Sequence, residues 1–251
     1  VSMETKKLKF DYVLLTNIIL AASILVMDVC LIVLGNAYVF KSIASALFVV
    51  SGIANLVFAI MAKEERSRLF KYFMVIGLVF ACIGDILLID GAYFIEGAIF
   101  FAIGHVFFFV GYSLLQKLCW RDLIIGLIIF AIALVVILAV PVFEFQNMLA
   151  IVIVYAFIIS FMLGKAISNA FSKVYRIGNL IILIGSLLFF LSDLMLLFNV
   201  FTNFDTNVFS ILCLALYYPA EILLACSIYY KDEKLTENEN LKKINEKSEK
   251  N

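Results

Sequence analysis

The stretch IGLVFACIGDILLI at residues 76–89 decides the fold, because it is almost wholly apolar and yet carries one aspartate, Asp85. The hydrocarbon layer of a bilayer is about 30 Å thick and a helix rises about 1.5 Å per residue, so about twenty apolar residues span it. With its flanking residues, this stretch predicts a spanning helix near residues 70–90. An aspartate there costs about 2.5–3.5 kcal/mol on the insertion scale, so it should face a polar interior.

Seven more apolar runs of similar length flank this one on both sides. Hydrophobic residues make up 65% of the 251 residues and only two are proline, which is too apolar for a soluble domain. We therefore predict an all-α, polytopic transmembrane bundle of about eight helices over residues 1–230. A charged, mobile tail is predicted at residues 231–251. The spans are placed near 12–34, 39–62, 70–90, 93–115, 122–142, 147–166, 176–200 and 208–230.

The positive charges predict the orientation of the bundle. If eight helices are drawn, every lysine and arginine of the 19 except Lys41 falls on one side of the membrane. Lys165, Lys173 and Arg176 are assigned to the sixth connection in this scheme. We expect both termini to be cytoplasmic, and the first apolar run to stay as a helix because no cleavage site follows it.

Several classes of function are disfavoured by composition. The 19 acidic residues balance the 19 basic ones, so there is no basic excess for nucleic acid. Five cysteines without CxxC spacing suggest neither disulfides nor a zinc–thiolate site. The single histidine excludes a three-histidine zinc site. We expect no cofactor and no metal, and the sequence leaves the oligomeric state open.

The stretch at 76–89 is similar in sequence to a second stretch of the chain. IGSLLFFLSDLMLL at residues 184–197 aligns with it without gaps, so that Asp193 corresponds to Asp85. Both segments are predicted to run outward from the cytoplasm. The match is compatible with a parallel duplication of four helices, although apolar segments also resemble one another by chance.

The other ionisable residues within the spans should gather around this pair of aspartates. Unpaired, they would together cost more than the usual net stability of a protein, so a shared polar interior is expected. Lys41 is the natural counter-charge for Asp28, Asp85 or Asp193. Asp85 and Asp193 are the favoured functional pair. The supporting candidates are Lys41, His105, Tyr112, Tyr217, Glu221 and Asp28, while packing roles remain open for Asp28, His105 and the tyrosines.

At these residues the sequence resembles the YhhN family of membrane proteins, which includes the lysoplasmalogenases. The marks of the resemblance are GDILLI at 84–89, FIEGAIFFAIGHVFFFVGY at 94–112, LLFFLSD at 187–193 and YYPAE at 217–221. Two positions depart from the family pattern: Lys41 is followed by serine rather than proline, and Glu221 stands where glutamine is usual. The resemblance covers the predicted helices 2 to 8.

The resemblance implies a membrane hydrolase that cleaves the vinyl-ether bond of lysoplasmalogens, releasing a fatty aldehyde and a glycerophospho-base. It also implies that Asp85 and Asp193 are the active residues. Vinyl-ether hydrolysis needs an acid, a carboxylate and water, and two aspartates in unlike surroundings can provide both carboxyl forms. We hypothesise that one protonates the substrate and the other stabilises the cation, while Lys41 or His105 binds the phosphate.

Two other classes of function remain as alternatives. A proton-coupled transporter of a small solute or lipid could use the same carboxylates, although no pair of helices is interrupted by glycine or proline at matching places. A lipid-binding scaffold without catalysis would use the charges only to hold helices together. The expected partners are a lysophospholipid substrate and membrane lipids. A bacterial cell membrane is the favoured location, or the endoplasmic reticulum if the host is eukaryotic.

Overall fold

Eight long helices account for most of the structure, a computed structural model that describes residues 3–64, 66–172, 175–204 and 206–229. Each helix is long and apolar enough to cross a membrane, and the described residues form no strand, so the predicted helical bundle is confirmed. The predicted tail at 231–251 and Lys173 lie outside the described residues. The helices are α1 (Met3–Leu34), α2 (Ala37–Met61), α3 (Arg68–Leu87), α4 (Phe94–Leu115), α5 (Trp120–Ala139), α6 (Leu149–Ala170), α7 (Arg176–Phe201) and α8 (Thr206–Cys226).

Short connections with local capping join these helices. Gly35 follows α1 with φ +70°, a left-handed conformation that glycine adopts without strain, and the side chain of Asn36 then accepts from the N–H of Val39 to begin α2. Ser67 caps α3 in the same way through the N–H of Phe70. Because the connections are short, successive helices are antiparallel, and every successive pair except α4 and α5 packs together extensively. The end of the bundle where α1, α3, α5 and α7 finish is called the outer end here, after the predicted orientation.

Six helices form a closed ring and two lie outside it. In ring order these are α2, α3, α4, α6, α7 and α8, with α8 packing back against α2 and α3. Helix α1 packs on α2 and α8, and α5 packs on α6. In the apolar stretches of α1 and α5 only 17% of residues are buried, against 28% to 44% in the ring helices. These two peripheral helices therefore present most of their surface to lipid.

The packing order of α1–α4 is repeated in α5–α8. In each half the first helix is peripheral, and the third packs against the fourth through a glycine. A Cβ on Gly77 would lie 2.4 Å from the ring of Phe108, and one on Gly185 would lie 3.0 Å from Leu224. Gly77 and Gly185 are matching positions in the two aligned stretches. A duplication of four helices would produce this repeated packing.

One assignment of basic residues to the connections is wrong. Lys165 lies inside α6, which continues to Ala170, and its Nζ is 2.6 Å from the Asp122 carboxylate in the first turn of α5. Both side chains are buried, and Nζ also donates to the carbonyl of Lys117 at 3.3 Å. The ammonium group is satisfied within the bundle, so α6 continues past it.

Candidate active site

Asp85 lies in the last turn of α3 and is buried in an ionic group. Lys41 Nζ of α2 is 3.2 Å from its Oδ1. The hydroxyls of Ser45, also on α2, and of Tyr217 on α8 donate to its Oδ2 at 2.6 Å and 2.7 Å. A carboxylate that faces an ammonium group and accepts two hydroxyl protons is well satisfied. Asp85 therefore joins three helices through a compact set of polar contacts.

Asp193, in the outer half of α7, has a different set of neighbours. The hydroxyl of Tyr155 on α6 donates to its Oδ2 at 2.7 Å, and His105 Nε2 of α4 lies 3.3 Å from the same oxygen. His105 Nε2 is also 2.9 Å from the Tyr155 oxygen. Oδ1 has no hydrogen-bond partner among the described residues, and no lysine or arginine there pairs with this carboxyl group. The Asp193 side chain is 14% exposed.

The hydrogen-bond network assigns the tautomer of His105. Since Tyr155 uses its proton on Asp193, its oxygen is free to accept, and the assignment that fits places the imidazole proton on Nε2. Nδ1 is then a bare acceptor, and it is buried without a hydrogen-bond partner among the described residues. The imidazole makes a T-shaped contact with the ring of Phe189, with the two ring centroids 4.7 Å apart. These contacts fix the ring beside Asp193.

An apolar cavity of about 160 Å³ lies against Asp193. Helices α4, α5, α6 and α7 line it, and the carboxyl group of Asp193 and the hydroxyl-bearing ring of Tyr155 belong to its wall. The other lining side chains are hydrocarbon, among them Phe101, Ile132 and Leu197. Ile132 is 62% exposed, which shows that the wall reaches the lipid-facing surface. Such a cavity suits an aliphatic chain with one reactive polar position.

The ring of Phe189 contacts one neighbour of each aspartate. Phe189 stacks on Tyr217 with ring centroids 5.2 Å apart, and it makes a T-shaped contact with His105. Asp85 is not part of the cavity wall. The structure brings Lys41 and Tyr217 to Asp85, and His105 to Asp193, but it does not bring both aspartates to the same cavity.

The three other predicted residues lie apart from this cavity. The Tyr112 hydroxyl pairs with Ser186 at 2.9 Å and thereby joins α4 to α7. Glu221 is fully buried, and neither of its carboxyl oxygens has a hydrogen-bond partner among the described residues. Asp28, on α1, is also buried, and its Oδ1 likewise has no hydrogen-bond partner among the described residues. None of the three hydrogen-bonds to Asp85 or Asp193 in the part of the chain that the structure describes.

The sequence-based prediction did not include Ser45 or Tyr155. Ser45 stands four residues after Lys41, so both side chains lie on one face of α2, and that spacing was a usable signal. Tyr155 lies in the run IVIVYAFII, where a tyrosine is as compatible with packing as with chemistry. Its role follows only from the position of α6 between α4 and α7.

Taken together, the fold and its buried polar groups define a multi-pass α-helical membrane protein with a carboxyl group at a lipid-facing cavity. The chain belongs to the YhhN family, whose model matches residues 37–228. The match extends from α2 to just beyond α8, so that α1 with Asp28 precedes it. No curated protein and no solved structure matches the chain.

Proposed function

We propose that this protein is an intramembrane hydrolase of the lysoplasmalogenase type, which cleaves the vinyl-ether bond of lysoplasmenyl-ethanolamine or lysoplasmenyl-choline. The observation that carries the proposal is the Asp193 carboxyl group, hydrogen-bonded to Tyr155 and His105, in the wall of an apolar cavity at the lipid-facing surface. The substrate has an acid-labile bond next to a hydrocarbon chain, and the cavity has a carboxyl group within a hydrocarbon wall. Membership of the YhhN family supports the same assignment.

Acid catalysis accounts for the cleavage with one water molecule consumed. A carboxylic acid transfers its proton to the β-carbon of the vinyl ether, which forms a C–H bond and leaves an oxocarbenium ion. Water adds to the α-carbon of this ion and loses a proton to the carboxylate, which regenerates the acid. The resulting hemiacetal then loses its hydroxyl proton and breaks its bond to the glycerol oxygen, which takes up a proton. A fatty aldehyde and a glycerophospho-base are released.

In this reaction Asp193 is the acid, and it acts through Oδ1, the oxygen that no described residue occupies. Tyr155 and His105 both contact Oδ2, so they stabilise the carboxylate that proton transfer leaves behind. The same carboxylate faces the oxocarbenium ion and accepts the proton of the adding water. Oxocarbenium-like transition states next to an enzyme carboxyl group are well known from glycoside hydrolysis.

Asp85 has a positioning role in this proposal, rather than the direct one that the sequence suggested. Its ion pair with Lys41 and its bond from Tyr217 hold α2, α3 and α8 together. Tyr217 in turn supports Phe189, the ring on which His105 rests. Loss of Asp85 should therefore lower the stability of the bundle directly. It should lower activity indirectly, by displacing His105.

The test is hydrolysis by purified Asp193→Asn protein, with Glu96→Gln as the matched control because Glu96 is an exposed carboxyl group in the first turn of α4. Vinyl-ether, alkyl-ether and acyl lysolipids are supplied separately, and aldehyde and fatty acid are measured. We expect Asp193→Asn to lose about 10²–10⁴-fold in aldehyde release, the usual contribution of general acid catalysis. Glu96→Gln should match the parent. Aldehyde release by folded Asp193→Asn at the parental rate would refute the proposal.

A further inference from the structure

Phenylalanine rings pack together at the outer end of the cavity. Phe143 and Phe145 lie in the connection between α5 and α6. The ring centroid of Phe143 is 4.9 Å from that of Phe198 on α7. The ring centroid of Phe145 is 5.1 Å from that of Phe201, also on α7. Phe94, at the start of α4, contacts Phe201 from the other side at 5.9 Å. Phe94 and Phe201 are themselves part of the cavity wall. We call these five rings the phenylalanine cap.

Backbone and side-chain hydrogen bonds hold the connection in place. The N–H of Glu144 donates to the carbonyl of Phe201 at 2.8 Å. The Asn203 side chain donates to the Glu144 carboxylate at 3.0 Å. Because Glu144 stands between Phe143 and Phe145, these bonds fix both rings over the end of α7. The cap is therefore held in a fixed position at this end of the cavity.

The side of the cavity between α4 and α5 is, in contrast, open. Helix α5 packs mainly on α6 and has no extensive contact with α4. Helices α5 and α6 approach closely at Gly126, where a Cβ on Gly164 would lie 2.7 Å from the Gly126 nitrogen. Further toward the outer end, Ala98 of α4 and Ala133 of α5 both line the cavity with small side chains. The neighbouring Ile132 and Ile99 are exposed on the lipid-facing surface.

We propose that the hydrocarbon chain of a membrane lipid enters the cavity sideways from the bilayer, between α4 and α5, while the phenylalanine cap keeps bulk water out. The occupant is an aliphatic chain, because the wall is hydrocarbon apart from Asp193 and Tyr155. This inference rests on the proposed function only for the identity of the lipid, a single-chain vinyl ether. The route itself can be tested without turnover.

Tryptophan fluorescence in nanodiscs tests the route. Trp120 is the only tryptophan of the chain, so Trp120→Phe gives a silent background. In that background Phe190→Trp places the reporter in the cavity wall, and Leu127→Trp places a control on the lipid-facing side of α5, where Leu127 is 51% exposed. Two quenchers are compared: phospholipids with brominated chains in the bilayer, and iodide in the water. The parental Trp120, 75% exposed, serves as the reference for iodide.

We expect brominated chains to quench Phe190→Trp to an extent comparable with Leu127→Trp, and iodide to quench it several-fold less than Trp120. Quenching by iodide without quenching by brominated lipid would overturn the lateral route in favour of an aqueous one. Absence of quenching by brominated lipid would overturn it as well. If Phe190→Trp does not fold, Ile137→Trp on α5 lines the same cavity and replaces it.

Two further substitutions test the gap between α4 and α5 and the phenylalanine cap independently. Ala98→Leu narrows the gap on the α4 side, so it should reduce quenching of Phe190→Trp by brominated lipid and leave Leu127→Trp unchanged. Phe143→Ala removes one ring of the cap and should increase quenching by iodide. No effect of Ala98→Leu would contradict access between α4 and α5. Quenching without hydrolysis would retain the route and reject the proposed function, so the two failures are distinguishable.

Discussion

Replacement of Tyr155 by phenylalanine removes one oxygen from the proposed active site and keeps the ring. That oxygen donates to Asp193 Oδ2 at 2.7 Å and lies 2.9 Å from His105 Nε2. A hydrogen bond to a charged group contributes about 1.5–3 kcal/mol, which corresponds to a rate factor of about 10–150 if it is made fully only to the carboxylate. We therefore expect Tyr155→Phe to lower kcat for aldehyde release by about 10- to 100-fold with KM nearly unchanged.

Tyr112→Phe is the matched control, because it also removes one hydroxyl from a buried tyrosine of the bundle. That hydroxyl pairs with Ser186 at 2.9 Å, away from the cavity. Its loss should lower the midpoint of thermal unfolding and leave kcat within about twofold, since a neutral hydrogen bond contributes about 0.5–1.5 kcal/mol to stability. The assay is aldehyde release from a vinyl-ether lysolipid by both proteins in the same nanodiscs. Equal losses of kcat in the two variants, or none in Tyr155→Phe, would refute the assigned role of Tyr155.

Three further outcomes are expected. Asp122→Asn removes the carboxylate from buried Lys165, so the free energy of unfolding measured in detergent should fall by about 3–5 kcal/mol, and an unchanged value would show that the carbonyl of Lys117 suffices. Gly164→Val should lower the unfolding midpoint by forcing α5 away from α6, whereas Gly91→Ala, with nothing within 4 Å of its Cβ, should not. Saturating EDTA should leave aldehyde release unchanged, because only carboxyl and imidazole groups act in the proposed mechanism, and a strict metal requirement would contradict this.

The number and placement of the helices could be predicted because each span is a separate apolar run with a short connection. The bounds of α7 agree with the prediction to within one residue, since the predicted span is 176–200 and the observed helix is Arg176–Phe201. Lys165 was misplaced because a lysine normally ends an apolar run. Its partner Asp122 lies on a different helix, and periodicity within one helix cannot show such a pair. Orientation stays a prediction, since it depends on charge bias alone.

The candidate site was predictable in its carboxyl groups and not in their surroundings. Asp85 and Asp193 stand out as charges within apolar runs, and Lys41 as the basic residue away from the others. The aligned stretches made the two aspartates look equivalent. Their environments differ because α2 brings an ammonium group to one, while α6 brings the neutral hydroxyl of Tyr155 to the other. That difference depends on which helix packs beside each aspartate.

The ring of Phe189 has a consequence for proton movement. It lies between Tyr217, which bonds to Asp85, and His105, which lies beside Asp193. A hydrocarbon ring neither donates nor accepts a proton, so no hydrogen-bonded chain runs through Phe189 from Tyr217 to His105. In the proposed reaction, a proton exchanged at Asp193 therefore does not reach the Lys41–Asp85 pair through this ring.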